Sequence, residues 1–211
     1  MGIRLTQNNT KSEAPHKQGE TDKEENSVAL QPGLYIVATP IGNIRDITLR
    51  ALDALRSADL ILAEDTRNSK KILIVYDINS SLLSYHEHNA EKRLPFVLKQ
   101  LRSGKSVVLI SDAGTPGISD PGAVLINECI KENINIISLP GPSAVTTAVS
   151  ISGFSEKYFF YGFFPEKVKI LEQDLTALSD LNSCIVFFIS PKKINKFIPY
   201  IKNYFDNRKI L

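Results

Sequence analysis

Cysteine is scarce in this 211-residue chain, with two residues only, Cys129 and Cys184, each inside an apolar run (VLINECI and SCIVFFI). Two thiols in such settings fit buried free side chains in a reducing, cytoplasmic compartment better than a disulfide framework or a zinc site. Long apolar runs are missing too. None approaches the roughly 20 residues that a membrane helix needs, so a soluble protein is expected. Net charge is only +2, too little to announce a nucleic-acid partner by itself. Apolar periodicity is absent from the first 31 residues, which scatter Asn, Gln, Ser, Lys and Glu and cannot offset their chain entropy; residues 1–31 are expected to be a disordered tail. That tail has no apolar middle of the kind a signal peptide carries, and Glu13, Glu20, Asp22, Glu24 and Glu25 argue against an organellar transit peptide.

What is present begins after Pro32. With 43% hydrophobic residues the chain can bury one or two compact cores. From Gly33 short apolar runs alternate with helical spacing. LYIVA (34–38) ends in the breaker-rich TPIGN, and Asp46 is the expected N-cap of a helix with apolar residues at Ile47, Ala51, Leu55 and Ala58. DLILA (59–63) runs into AEDTR, with a helix over about 67–76. LLSYH, a helix over 90–102, SVVLIS (106–111), a helix near 122–132, INIISL (134–139) and a helix over 143–152 follow. Continuous apolar strands alternating with helices imply an α/β domain whose parallel sheet is covered on both faces. We place this domain at 32–145. A second, partial α/β domain at 146–211 follows, with the aromatic strands YFFYGFF (158–164) and CIVFFI (184–189) around an amphipathic segment at 167–180 and a last helix at about 194–205. Near its end Lys192, Lys193, Lys196, Lys202, Arg208 and Lys209 face only Asp206. Such a cluster reads either as a solvated helical face or as a surface for an anionic partner.

Glycines, prolines and small residues gather where the first-domain strands end: Pro40–Gly42, Asp112–Gly117 and Pro140–Ala144. In open α/β sheets ligands bind beyond the carboxyl ends of the strands, and glycine lets backbone approach them closely. Two look-alikes are set aside. Gly104-Lys105-Ser106 imitates the end of a P-loop, but Lys99 stands where the first glycine belongs and a strand follows where a helix should. TPIGNI has one glycine where the dinucleotide fingerprint needs three. His86-Glu87-His88 would place two imidazoles on one face of an extended segment, yet no third ligand completes a site, and no metal is expected.

VATPIGNIRDITLRAL, ILAEDTR, LLSYHEHN, SVVLISDAGTPGISDPG and LPGPSAVTTAVSISG, in this order from about Gly33 to Phe164, resemble the tetrapyrrole methylase superfamily, and within it the branch that methylates a ribose of small-subunit ribosomal RNA. SDAGTPGISDPG followed by PGPSA is a highly specific combination. The resemblance implies a two-domain α/β enzyme with a parallel-rich first sheet, a homodimer, with S-adenosylmethionine folded into the cleft between domains. It implies that Pro40 lies under the cofactor, that Asp112, Ala113, Gly114 and Thr115 cradle it, that Ser143 and Ala144 touch it, and that Phe188 and Ile189 close over it. The implied activity is 2′-O-methylation of a cytidine in 16S rRNA of the small ribosomal subunit.

Methyl transfer from a sulfonium is an in-line displacement, so alignment supplies much of the rate. A ribose hydroxyl is a weak nucleophile until a base takes its proton. AEDTR and SYHEHN offer Glu64, Asp65, His86, Glu87 and His88 at the rim of the sheet. Asp65 is the first choice for the substrate-side group and His86 the next; the other reading of Asp65–Arg67 is a helix N-cap with a surface ion pair. Arg67, Lys70 and Lys71 suit rRNA phosphates, contacts that position without specifying sequence, and His88 joins them on the substrate side.

Two departures from the family stand out. Where it reads Phe-Tyr-Glu-Ser-Pro-His-Arg, this chain reads FFISPKK, with Ile189 for the acid and Lys192 and Lys193 for His-Arg. The family's second domain also carries further strands and helices, so a truncated sheet with an unpaired edge, loosely held from about residue 155, is expected. The alternatives are therefore an inactive remnant or a same-fold methyltransferase acting on a tetrapyrrole or other small molecule; AEDTR and SYHEHN argue against the small-molecule reading.

Overall fold

The computed structural model describes residues 29–211, so the expected tail lies almost wholly outside the described residues. The apolar runs become β1 (Gly33–Val37), β2 (Leu60–Ala63), β3 (Leu82–Ser84), β4 (Ser106–Ile110) and β5 (Ile136–Leu139). They form one parallel sheet in the order β3-β2-β4-β1-β5. Every residue of β1, β2 and β4 is buried, because helices cover both faces. Tyr35 and Val37 pack with Leu52 and Leu55 of α1 (Leu49–Ser57) and Leu73 of α2 (Thr66–Val75). The alternate residues Leu34 and Ile36 pack with Val97 and Leu101 of α3 (Ala90–Arg102) and Leu125 and Cys129 of α4 (Ala123–Lys131). At the amino ends of the strands the Asp59 carboxylate accepts from the Ser106 amide and hydroxyl, both at 2.8 Å, clamping the start of β2 to β4.

This strand order positions the site. β1 and β4 are neighbours, but β1 leads into α1 on one face and β4 into α4 on the other. The two outgoing loops diverge there and leave a crevice, the place where open α/β sheets hold ligands.

One expected helix start is corrected. Asp46 closes a single 3-10 turn (Ile44–Asp46), and α1 begins at Leu49 with Thr48 as its cap, the hydroxyl accepting from the Ala51 amide at 3.1 Å. The extended backbone at Ile47 (φ −69°, ψ 139°) separates the two turns. Apolar spacing locates the buried face of a helix, but its first residue depends on which polar side chain can reach a free amide.

After α5 (Ala144–Ser152) come β6 (Tyr158–Phe163), α6 (Val168–Ser179), β7 (Cys184–Phe188) and α7 (Ile194–Phe205). β6 and β7 pair in parallel with an irregularity between Phe160 and Gly162. One face of this pair has its own core: Leu171, Leu175 and Leu178 of α6 and Phe197 and Phe205 of α7 surround Phe164. The other face stays largely open. There the Phe188 ring lies 5.0 Å from Phe160 and 5.3 Å from Phe163, and Phe163 is 56% exposed. α5 packs against β7 and leaves a cavity of about 890 Å³ between them, lined by Val149, Ser152, Cys184, Val186 and Phe205 among others. Cys129 and Cys184 are both free.

Candidate functional site

Gly114 is where three loops meet. Its amide donates to the Thr39 carbonyl (3.0 Å) and its carbonyl accepts from the Thr39 amide (2.9 Å), while the buried Thr39 hydroxyl donates to the Ser111 carbonyl (3.0 Å). These bonds tie the loop after β1 to the loop after β4. Gly114 has φ +82°, and a side-chain carbon there would stand 3.6 Å from Ile41 Cγ2 and 3.8 Å from the Pro142 carbonyl. The Thr115 hydroxyl donates to that same carbonyl at 3.4 Å, joining the loop after β5. Gly141 is needed for close approach, since a Cβ there would fall 2.8 Å from the Ala38 Cβ. Around this junction Asp112, Ala113 and Ala144 are exposed, Thr115 and Ser143 half-buried, and Pro40 buried. Ser143 stands at the head of α5 without a capping hydrogen bond from its side chain. Pro40, Asp112–Thr115, Ser143 and Ala144 thus come from loops at one end of one sheet.

Phe188 and Ile189 belong to the second unit, Phe188 in the aromatic group of its open face and Ile189 against the α6–α7 core. The second unit approaches the loops at Gly162, where a Cβ would stand 3.3 Å from Ser119 Oγ.

β2 and β3 end on one side of this junction. Asp65 caps α2: its Oδ1 accepts from the Arg67 amide at 2.8 Å, and the Arg67 guanidinium binds both carboxylate oxygens, the shortest contact being 2.7 Å. Arg67 holds the Asp65 carboxyl down at about 2. The cap-and-ion-pair reading of Asp65–Arg67 is therefore the geometry observed. Asp112 ties this cap to the loop after β4, its carboxylate accepting from the Asp65 amide (3.2 Å) and from Asn68 Nδ2 (3.1 Å). Lys70 and Lys71 are exposed, and Lys71 Nζ donates to Asn68 Oδ1 at 3.2 Å.

Residues 86–89 form a turn, where an extended segment was expected. Asn89 Oδ1 accepts from the His86 amide (2.9 Å), and the His86 carbonyl accepts from the Asn89 and Ala90 amides. The His86 and His88 rings meet edge-on at 6.0 Å. His86 Nδ1 is buried without a partner among the described residues, and His88 is exposed. Among the described residues no group of three or more His, Cys, Asp and Glu is arranged to hold a metal ion.

Beside Asp65, the half-buried Glu64 has its carboxyl raised above the ordinary range, first by burial, then by Asp120 and Asp112, with the Asp112 amide opposing. Asp120 is likewise raised, by burial and by Asp112, against a hydrogen bond from Ser111. Thr39, Asn68 and Asp120 escaped the sequence reading. Asp120 lies in the quoted SDAGTPGISDPG loop, yet nothing in local spacing says that this loop folds back toward β2.

A Thermotoga maritima protein named ribosomal RNA small subunit methyltransferase I is 47% identical over 178 residues, 84% of this chain and 80% of that relative, which is thus about 220 residues long. Proteins of the same name from Mesorhizobium japonicum and Bacillus subtilis are 47% and 41% identical over 78% and 84% of this chain. The chain spans only 56% and 61% of those two relatives' lengths. Among solved structures, the methyltransferase CobJ (TM-score 0.61, 18% identity, 84% of this chain, 77% of that one) and a diphthine synthase (TM-score 0.62, 13% identity, 82% and 72%) share the fold. The family model described as Tetrapyrrole (Corrin/Porphyrin) Methylases matches residues 33–210, the whole of both α/β units, and the chain belongs to that family.

Proposed function

We propose that this chain is an S-adenosylmethionine-dependent methyltransferase that modifies the 2′-hydroxyl of a cytidine ribose in 16S rRNA of the small ribosomal subunit, acting in the cytoplasm as a homodimer. The observation that carries the reading is the junction at Gly114, where three loops converge at the point at which the β1 and β4 connections diverge. The curated relatives' shared name supports the choice of substrate.

The residues fit the methyl donor. Gly114 keeps the centre of the junction free of side chain, Ala113 and Ala144 leave neighbouring backbone accessible, and Asp112 offers a carboxylate to a cationic ligand. Pro40, Asp112–Thr115, Ser143 and Ala144 would hold it, with Phe188 and Ile189 closing from the second unit. When bound it supplies an activated methyl group on a cationic sulfur. The chain's part is alignment and proton handling. The loop contacts of Thr39 with Gly114 and Ser111 fix the cradle before any ligand arrives, which spares ordering entropy. The substrate side is the rim formed by the ends of β2 and β3, where Asp65, His86 and His88 stand, with Arg67, Lys70 and Lys71 for phosphates. Asp65 serves there through its tie to Asp112 and Arg67, orienting both.

The test is methylation of assembled small subunits. A ribose methyl blocks attack of the 2′-oxygen on the adjoining phosphate, so one alkali-resistant linkage should appear at a cytidine, and free cytidine should remain unmodified. Methylation on a base or on a tetrapyrrole would overturn the assignment. The open face of β6–β7 favours a second reading, a chain that binds the donor with little turnover; donor binding by calorimetry without methylated subunits would support it.

A further inference from the structure

We infer that Glu64, half-buried at the carboxyl end of β2 beside Asp120 and Asp112, is the group that accepts the proton of the substrate hydroxyl. This rests on reading the chain as a ribose methyltransferase.

The strand order narrows the choice. The cradle is built on β4, β1 and β5, so among the remaining strands β2 is the one adjacent to it, and β3 lies one strand further out. A group that takes a proton from the reacting oxygen must stand within hydrogen-bond reach of it. Glu64 follows β2 directly, whereas His86 follows β3. Asp65 also follows β2, but both its oxygens are bound to Arg67 and its carboxyl is held at about 2, which makes it a poor base.

The charged groups facing Glu64 come from two elements. The loop after β4 contributes Asp112 and Asp120, and the head of α2 contributes Asp65; Arg67, the cation of that segment, is bound to Asp65. Glu64 is therefore a partly desolvated carboxyl among like charges, the setting that lifts an acid toward neutral pH and makes its carboxylate a better proton acceptor. Asp120 is a positioning residue, raising Glu64 by repulsion. In the step itself the substrate O–H bond breaks as the O–CH3 bond forms, and the carbon–sulfur electron pair stays on sulfur, which becomes a neutral thioether. The proton ends on Glu64 and passes to water.

The experiment follows methyl transfer to assembled small subunits against pH, alongside calorimetry of S-adenosylmethionine binding, for wild type, Glu64→Gln, Glu64→Asp and Asp120→Asn. Glu64→Gln should keep donor binding and its melting temperature while losing about 100-fold or more in transfer rate. Glu64→Asp should recover part of the rate. Wild-type transfer should rise with pH through an inflection above the ordinary carboxylate range, and Asp120→Asn should move that inflection to lower pH, which a merely structural role would not do. Wild-type rates in Glu64→Gln, or loss of donor binding along with the rate, would overturn this assignment alone. A wild-type protein that methylates no ribose would overturn the proposed function and this assignment with it.

Discussion

β4 and β7 are both five-residue apolar strands, SVVLI and CIVFF, yet every residue of β4 is buried and every residue of β7 only half-buried. The cause is their neighbours. β4 lies between β2 and β1 with helices on both faces, whereas β7 pairs with β6 alone and has its main helical cover, α6 and α7, on one face. Hydrophobic run length marks a strand, but burial is conferred by partners along the edges and across the faces. The doubly covered unit carries the loop junction at Gly114, and the half-covered unit approaches those loops at Gly162.

Hydrogen exchange is the sharpest way to break this contrast. Amides of 106–110 should be protected close to the global stability, while those of 184–188 should exchange on the order of 1000-fold faster through local opening. Equal protection would mean that the second unit is as firmly held as the first. The expectation of looseness is tempered by the core that α6 and α7 do form, and Leu175→Ala measures it. Loss of that fully buried side chain should cost about 2–5 kcal/mol of the second unit's stability, while Phe163→Ser on the open face should stay within about 0.5 kcal/mol. A single cooperative unfolding transition, shifted equally by Leu175→Ala and Leu109→Ala, would merge the two units into one.

In the first unit, Gly114→Val places a β-branched residue at φ +82° and fills the space between Ile41 and Pro142. Donor affinity measured by calorimetry should fall at least about 100-fold, the equivalent of some 2.7 kcal/mol, with 106–110 still protected. Unchanged affinity would remove the cradle from Gly114. The smallest effect concerns the α2 cap. Asp65 is lowered from 3.8 to about 2 by Arg67, so its contribution is complete above the unfolded value and is lost as pH falls through the folded one. The Arg67 amide resonance should therefore shift between about pH 4 and about pH 2 while the β4 amides stay in place, and Asp65→Asn should abolish that titration.

Much of this was legible in the sequence because it is local. Continuous apolar runs named the seven strands of the described residues to within a few residues, and breakers marked the loops that meet at Gly114. Asp65 with Arg67 carried the signature of a cap. Where the local signal is weak it does not decide: Asp46 and Thr48 are both acceptable caps, and the bend at Ile47 selects Thr48. His86-Glu87-His88 resembled an extended segment until Asn89 closed it into a turn.

By itself the sequence determined that there would be parallel strands covered by helices, where they would end in glycine- and proline-rich loops, and which family's motifs they carry. Only the tertiary structure decided the order β3-β2-β4-β1-β5, and with it everything that needs two distant segments at once. Asp112 binds the Asp65 amide and Asn68 across more than forty residues, Gly114 exchanges backbone hydrogen bonds with Thr39, and the charge of Asp120 raises the Glu64 carboxyl. Parallel strands are joined by long crossovers whose local spacing is the same whichever neighbour a strand chooses, so strand order emerges from burying all the apolar faces together, and the site emerges from strand order.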